Sequence, residues 1–271
     1  MFMDQVPMSL EEVQRLYERP AHVRAAGASP NGGVDTGLNE AQVARAKAVH
    51  DTALSVGLKA GMAWQLRNID NVITSMARDL DQVYDFGALM INQRVVPAVI
   101  TEARNVYNQD GDYAVRLSGA LYQIERQARI ASVPPHWREY LSFPKSVAAP
   151  PVDMIAVRDS NERTVWEQAV KGGWSQGVEQ ANLTLTQAMD RLNRDFGGMS
   201  RFHRFVIEGK VSLPAIATED IPVSHNGSTM AVDETLLRIT TLPEFNSKMG
   251  SWQGIVISTG RPAGQAKEAS K

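Results

Sequence analysis

The chain of 271 residues has no cysteine, which removes disulfides, thiolate metal sites and cysteine nucleophiles from its possible chemistry. Compartment stays open on that ground, because a periplasmic protein of this size manages without disulfides. Long hydrophobic runs are missing too. The longest apolar stretch, Ala53 to Leu66, is interrupted by Lys59 and falls short of the ~20 residues that cross a bilayer as a helix. Met1-Phe2-Met3-Asp4-Gln5 has neither the basic start nor the apolar core of a signal peptide. No charge of one sign dominates: the formal net charge of -2 gives no global attraction to phosphate, and no Lys/Arg run supplies a local one, so direct binding of nucleic acid is not expected. Phosphate-cradling loops, Gly-x-Ser-x-Gly elbows and His-Glu-x-x-His pairs are all absent. The five histidines (His22, His50, His136, His203, His225) are scattered, so the expectation is no metal site, no cofactor and no catalytic residue.

What is present is an ordinary globular composition, 43% hydrophobic and 21% charged, enough to bury one sizeable core or two modest ones. Ser9 to Glu18 reads as a short amphipathic helix with Ser9 as N-cap and Val13, Leu16 and Tyr17 on one side, ended by Pro20. Residues 25 to 37 have the composition of a flexible linker, so this first helix is expected to be tethered, resting on a neighbouring subunit or on the chain's own body.

A long helical pattern runs from Asn39 to about Val83. Gly57 and Gly61 lie one turn apart on it, a spacing that permits close approach of a helix, either inside the chain or at a subunit contact. Between Phe86 and Ser118 the period shortens, and Asn108 to Asp112 form a strong turn, which predicts a small antiparallel sheet. Pro134-Pro135 precede a short helix, His136 to Leu141, and Phe143 to Ala156 reads as a second connection. Asp159 with Glu162 opens the clearest helix, expected to stop at Gly197-Gly198, with strands following near Val211 to Ile216 and Thr235 to Thr240. The fold class is therefore α+β: long helices packed on a small, mainly antiparallel sheet, with a flexible N-terminal arm and C-terminal tail.

Short signatures recur in order along the chain. They include Gly57-Leu58-Lys59-Ala60-Gly61-Met62-Ala63-Trp64, Pro134-Pro135-His136-Trp137-Arg138-Glu139-Tyr140-Leu141 and Gly173-Trp174-Ser175-Gln176-Gly177 on to Asn182. Arg191-Leu192-Asn193-Arg194-Asp195 and Leu237 to Pro243 follow. Over roughly Ala53 to Pro243 this set resembles the DotC family, the outer-membrane lipoproteins of type IVB (Dot/Icm-like) secretion and conjugation systems, whose member on IncI-type conjugative plasmids is called TraI.

The resemblance implies a structural role at the periplasmic face of the outer membrane. The protein would sit in the core complex, as a homo-oligomeric ring with DotD-like and DotH-like partners, and would assist placement of the DotH-like subunit. It also implies a lipid anchor on a cysteine, which this chain does not contain. The implied division is an N-terminal arm and linker over 1–37, a DotC-like domain over 38–259 and a disordered tail over 260–271. Rival readings are a periplasmic cell-wall hydrolase, with Asp81 and Asp85 as an acid/base pair four residues apart, and a monomeric escort outside the ring. Candidate interface residues are Trp137 and Arg138, of types that dominate interface energetics, and the pair Gly57 and Gly61.

Overall fold

The structure, a computed structural model, describes residues 7–18, 37–109, 115–144, 157–228, 230–248, 250 and 252. The linker over 25–36 and the tail over 260–271 lie outside these, as do the tip of the Asn108 to Asp112 turn and most of the Phe143 to Ala156 connection. The chain divides into two compact units, one comprising Met1–Tyr84 with His136–Leu192 and the other Asp85–Pro135 with Asn193–Lys271. The first unit is helical among its described residues, the second joins the end of a long helix to antiparallel pairs of strands, and the class is α+β as the sequence predicts.

In the first unit α1 (Leu10–Gln14) is opened by a capping box between Ser9 and Glu12 and runs into a 3-10 turn, Arg15–Glu18. Its apolar side is not free. Val13 and Leu16 are buried in a cluster with Val49, Ala53, Val56, Trp166 and Val170, so of the two surfaces anticipated for this helix it takes the chain's own body. The helix expected over Asn39 to Val83 is two helices, α2 (Gly37–Ser75) and α3 (Ala77–Val83), divided at Met76. After α4 (Trp137–Tyr140) comes α5 (Ser160–Ile207), whose first turn is capped by Asp159 Oδ1 accepting from the Glu162 N–H at 2.7 Å.

Helices α2 and α5 lie parallel, because their contacts advance together: Arg45 meets Glu162, Gly57 meets Val170, Gly61 meets Trp174 and Gln65 meets Asn182. Glycine makes the approach possible. A Cβ on Gly61 would stand 2.5 Å from the Trp174 carbonyl oxygen, and Gly57, Gly173 and Gly177 face Val170, Leu54 and Leu58 backbone as closely. At 48 residues α5 is roughly 72 Å long. It does not stop at Gly197-Gly198 as expected, because Gly198 sits where a Cβ would lie only 3.0 Å from the Ile100 amide, and the glycine serves packing and not termination.

The second unit holds strand pairs in place of one sheet. β1 (Val95–Val96) pairs with β4 (Arg129–Ile130), β2 (Val99–Gln109) with β3 (Val115–Arg126), and β5 (Ala215–His225) with β6 (Met230–Thr241), all antiparallel. The hairpins are longer than the sequence suggests, and Leu89 lies in a 3-10 turn (Gly87–Leu89) before them. Ile100 packs with Phe202, Phe205 and Val211, against which Tyr122 and Ile124 also rest.

The elements repeat. Gly57 and Gly61 recur 116 residues on as Gly173 and Gly177, and each pair meets the helix that carries the other. Gln93 and Gly209, again 116 apart, both have positive φ (58° and 69°). Val95 and Val211, 116 apart, bridge to Ile130 and Phe245, 115 apart. β5 follows β2 by 116 at both ends, β6 follows β3 by 115 at both ends, and the register shift falls at the same place, between Val99 and Ile100 and between Ala215 and Ile216. The chain is thus two copies of one unit, a long helix, a short bridging strand and a long hairpin.

The glycine contacts decide the sign of two substitutions. Replacing helical glycine by alanine normally gains up to about 1 kcal/mol. Gly197→Ala, with open space around its Cβ, should therefore raise the melting temperature, while Gly57→Ala, whose Cβ meets Val170 backbone, should lower stability by about 1–3 kcal/mol. Denaturant melts of both proteins check this, and equal shifts of the same sign would be inconsistent with the packing described.

Candidate interaction surfaces

Trp137 and Arg138, adjacent in sequence, part company in space. α4 begins with a capping box in which His136 Nδ1 accepts from the Arg138 N–H and Glu139 accepts from the His136 N–H. Trp137 then points inward and is 3% exposed, donating from Nε1 to Asp81 Oδ1 at 2.7 Å. Arg138 lies over its ring at 4.3 Å and reaches the same carboxylate at 3.1 Å, with half of its side chain in solvent. The Trp137 hydrogen bond first, and the Arg138 charge after it, holds the Asp81 carboxyl below the usual carboxylate range. Asp81 is thus a structural acceptor in α3. Asp85 lies beyond the end of α3 and caps the next turn, accepting from the Ala88 N–H at 3.2 Å. Gly57 and Gly61 have their face covered by α5.

The most buried charge is Asp195, 1% exposed, which accepts from the guanidinium of Arg126 on β3 and from Arg194 at 3.1 Å. Nearby, Arg201 donates to the Ile100 carbonyl at 2.6 Å and meets Glu102, whose carboxyl is held low chiefly by Arg104 and also by Arg201. These residues tie the hairpin β2–β3 to the C-terminal part of α5. Asp195 carries the last letter of the Arg191 to Asp195 signature, and its fixed role is clear only with β3 in place.

Two surfaces are open. On β2–β3 the side that faces away from Phe202 and Phe205 exposes Tyr107, Leu117 and Leu121, with Tyr107 directly opposite Leu117. On β5–β6 the same side exposes Met230, Val232 and Leu236. Leu117 corresponds to Val232 and Leu121 to Leu236 by the 115-residue offset. Beneath the other side of β5–β6 runs a groove of about 380 Å³, lined by Asn92, Arg94, Val95, Ile130, Ile216 and Leu237, with Thr218 and Thr235 between. Sequence reasoning names none of its residues. A signal existed in Pro97-Ala98-Val99-Ile100-Thr101-Glu102 and Pro214-Ala215-Ile216-Ala217-Thr218-Glu219, which share Pro-Ala and Thr-Glu.

Among the described residues no three His, Asp or Glu side chains gather as metal donors, and no helix is long and apolar enough to cross a membrane. Residues 43–254, which take in both long helices apart from the first turns of α2 and both hairpins, match the TraI family model, described as type IV secretory system, conjugal DNA-protein transfer. The chain belongs to that family. No curated protein matches it. As a type IV secretory system component, this TraI-family chain works among protein partners in a complex.

Two tests address the internal ion pairs. Asp195→Ala removes the buried acceptor of Arg126 and Arg194, whose guanidiniums keep access to solvent, and should cost about 1.5–3 kcal/mol in denaturant melts. At the start of α5, Glu162 is held below its ordinary pKa first by the Arg45 hydrogen bond at 2.6 Å and then by the Arg158 backbone N–H. Its contribution is therefore complete above the unfolded value of about 4.3 and disappears as pH falls through the lower folded value. The gap in melting temperature between the wild type and Glu162→Gln should be constant from pH 6 to 8 and close below about pH 4.

Proposed function

We propose that this chain is a structural subunit of the outer-membrane core complex of a type IVB secretion and conjugation system, of the DotC kind, at the periplasmic face of the outer membrane. In this reading it forms a ring with copies of itself, contacts DotD-like and DotH-like subunits and assists outer-membrane placement of the latter. It works by contact and not by catalysis. Attachment to the membrane comes through a lipid anchor that these residues do not supply, or through the partners.

The observation that carries the reading is the duplicated hairpin. Each is a two-stranded ribbon with apolar side chains in solvent, Leu121 at 49% and Leu236 at 41% exposure, and among the described residues neither pairs into a larger sheet. Long strand edges and apolar faces left open in this way suit assembly, since each offers backbone groups and apolar area to a neighbour. The ionisable groups that stand out, Asp81, Asp195, Glu102 and Glu162, are all engaged in holding the fold.

The decisive experiment is incorporation into the complex. Leu121→Lys with Leu236→Lys, both at exposed positions, should leave the isolated protein's stability within about 0.5 kcal/mol. The same double variant should fail to co-purify with outer-membrane complexes and should lose transfer. Unimpaired incorporation would remove the hairpin faces from the assembly. Conversely, Asp85→Asn should leave transfer intact, and loss of transfer with normal assembly from it would favour a cell-wall hydrolase.

A further inference from the structure

The two copies of the helix–hairpin unit differ in what covers the inner side of the hairpin. Beneath β2–β3, Ile100 and Tyr122 are covered by the end of α5: Phe202 and Phe205 pack there, with Tyr122 and Phe205 edge to face at 4.8 Å. Lys210 lies over the Phe205 ring at 5.2 Å and pairs with Glu208 at 2.6 Å. The corresponding side of β5–β6, with Ile216 and Leu237 at the positions of Ile100 and Tyr122, lines the open groove.

The groove is open because the first copy's helix ends early. α3 stops at Val83, and the residues 116 before Phe202 and Phe205 are Phe86 and Leu89, at the 3-10 turn. Phe86 packs on Phe196 at 5.2 Å, the Leu89 carbonyl accepts from His203, and neither lines the groove. Arg94 takes the place of Lys210, but Asn92 stands where Glu208 would be, and the Arg94 guanidinium has no carboxylate among the described residues. Set against its twin, the groove lacks two aromatic side chains, at the places of Phe202 and Phe205, and one carboxylate.

We propose that the groove beneath β5–β6 is a docking site for a helix of another subunit that presents an aromatic side chain and, one turn on, a carboxylate for Arg94. Phe205 and Glu208 show the spacing: three residues apart, Phe205 in the last turn of α5 and Glu208 just beyond it, its N–H still donating to the Arg204 carbonyl at 2.9 Å. The groove volume, about 380 Å³, is in the range of clefts that enclose a ligand.

The probe is a labelled, helix-stapled peptide with the sequence of residues 199–208, which carries Phe202, Phe205 and Glu208, titrated against the full chain. Saturable binding is expected. It should weaken at least tenfold with Phe205→Ala in the peptide, with Arg94→Glu in the protein, and with Thr218→Trp, which fills the groove from an exposed position. A peptide with Glu208→Arg should regain affinity for the Arg94→Glu protein. Absence of saturable binding, or binding that ignores both protein variants, overturns the proposal. So does oleate occupying the groove while the peptide does not, which would make it a lipid site. A monomer–dimer equilibrium of the chain that is broken by the same two variants overturns it also, assigning the groove to a second copy.

Discussion

Everything in the first unit depends on the distance at which α2 and α5 pass. Four glycines, two on each helix and each pair one turn apart, let the backbones touch where any Cβ would collide with a carbonyl. The parallel arrangement follows, because the pairs are reciprocal: the turn carrying Gly57 and Gly61 meets Val170 and Trp174 as the turn carrying Gly173 and Gly177 meets Leu54 and Leu58. Larger side chains then have fixed places on either side of the contact. Trp166 is fully buried under α1, at the cost of an indole N–H without a partner, and Trp64 and Trp174 meet at a tilt of 46° with ring centroids 5.7 Å apart. That unmade hydrogen bond costs about 1–3 kcal/mol, which the apolar burial around it offsets.

Duplication explains why a chain without catalytic motifs carries two such similar hairpins. The copies keep what geometry demands: the glycine pair, the left-handed residue before the bridging strand, the bridge itself and the register shift at the base of the ribbon. They diverge where one helix continues and the other breaks. α5 runs through to Ile207 and covers its hairpin with aromatics, whereas the first copy breaks at Met76 and again after Val83. Asp195, held by Arg126, belongs to the covered side, where a buried carboxylate between two guanidiniums locks the ribbon to the helix.

The TraI-family chain leaves apolar surface open on both hairpins. The exposed faces of both ribbons carry aliphatic side chains at equivalent positions, Leu117 with Val232 and Leu121 with Leu236, which among the described residues remain two-fifths or more exposed. The charged groups Asp81, Glu102, Glu162 and Asp195, by contrast, are engaged within the fold.

The sequence by itself determined the helices and their faces, the caps at Ser9 and Asp159, the closeness implied by Gly57 and Gly61, and the family, because these rest on spacing within one turn or on short strings of residues. Local signals also misled. Gly197-Gly198 reads as a helix stop, yet Gly198 is there to admit β2, and Val13 and Leu16 belong to a core whose other members lie about 35 to 155 residues away. Only the tertiary structure decided that the glycine pair faces α5, that Trp137 turns inward while Arg138 stays out, and that one hairpin is covered and the other leaves a groove. The duplication is faint in the sequence because Pro-Ala and Thr-Glu return 117 residues on while the strands return at 116. That one-residue slip puts Thr101 and Thr218 on opposite faces of their ribbons. A repeat held in backbone geometry, with its side chains exchanged, leaves little trace in residue identity, since pairing and close approach are properties of the main chain.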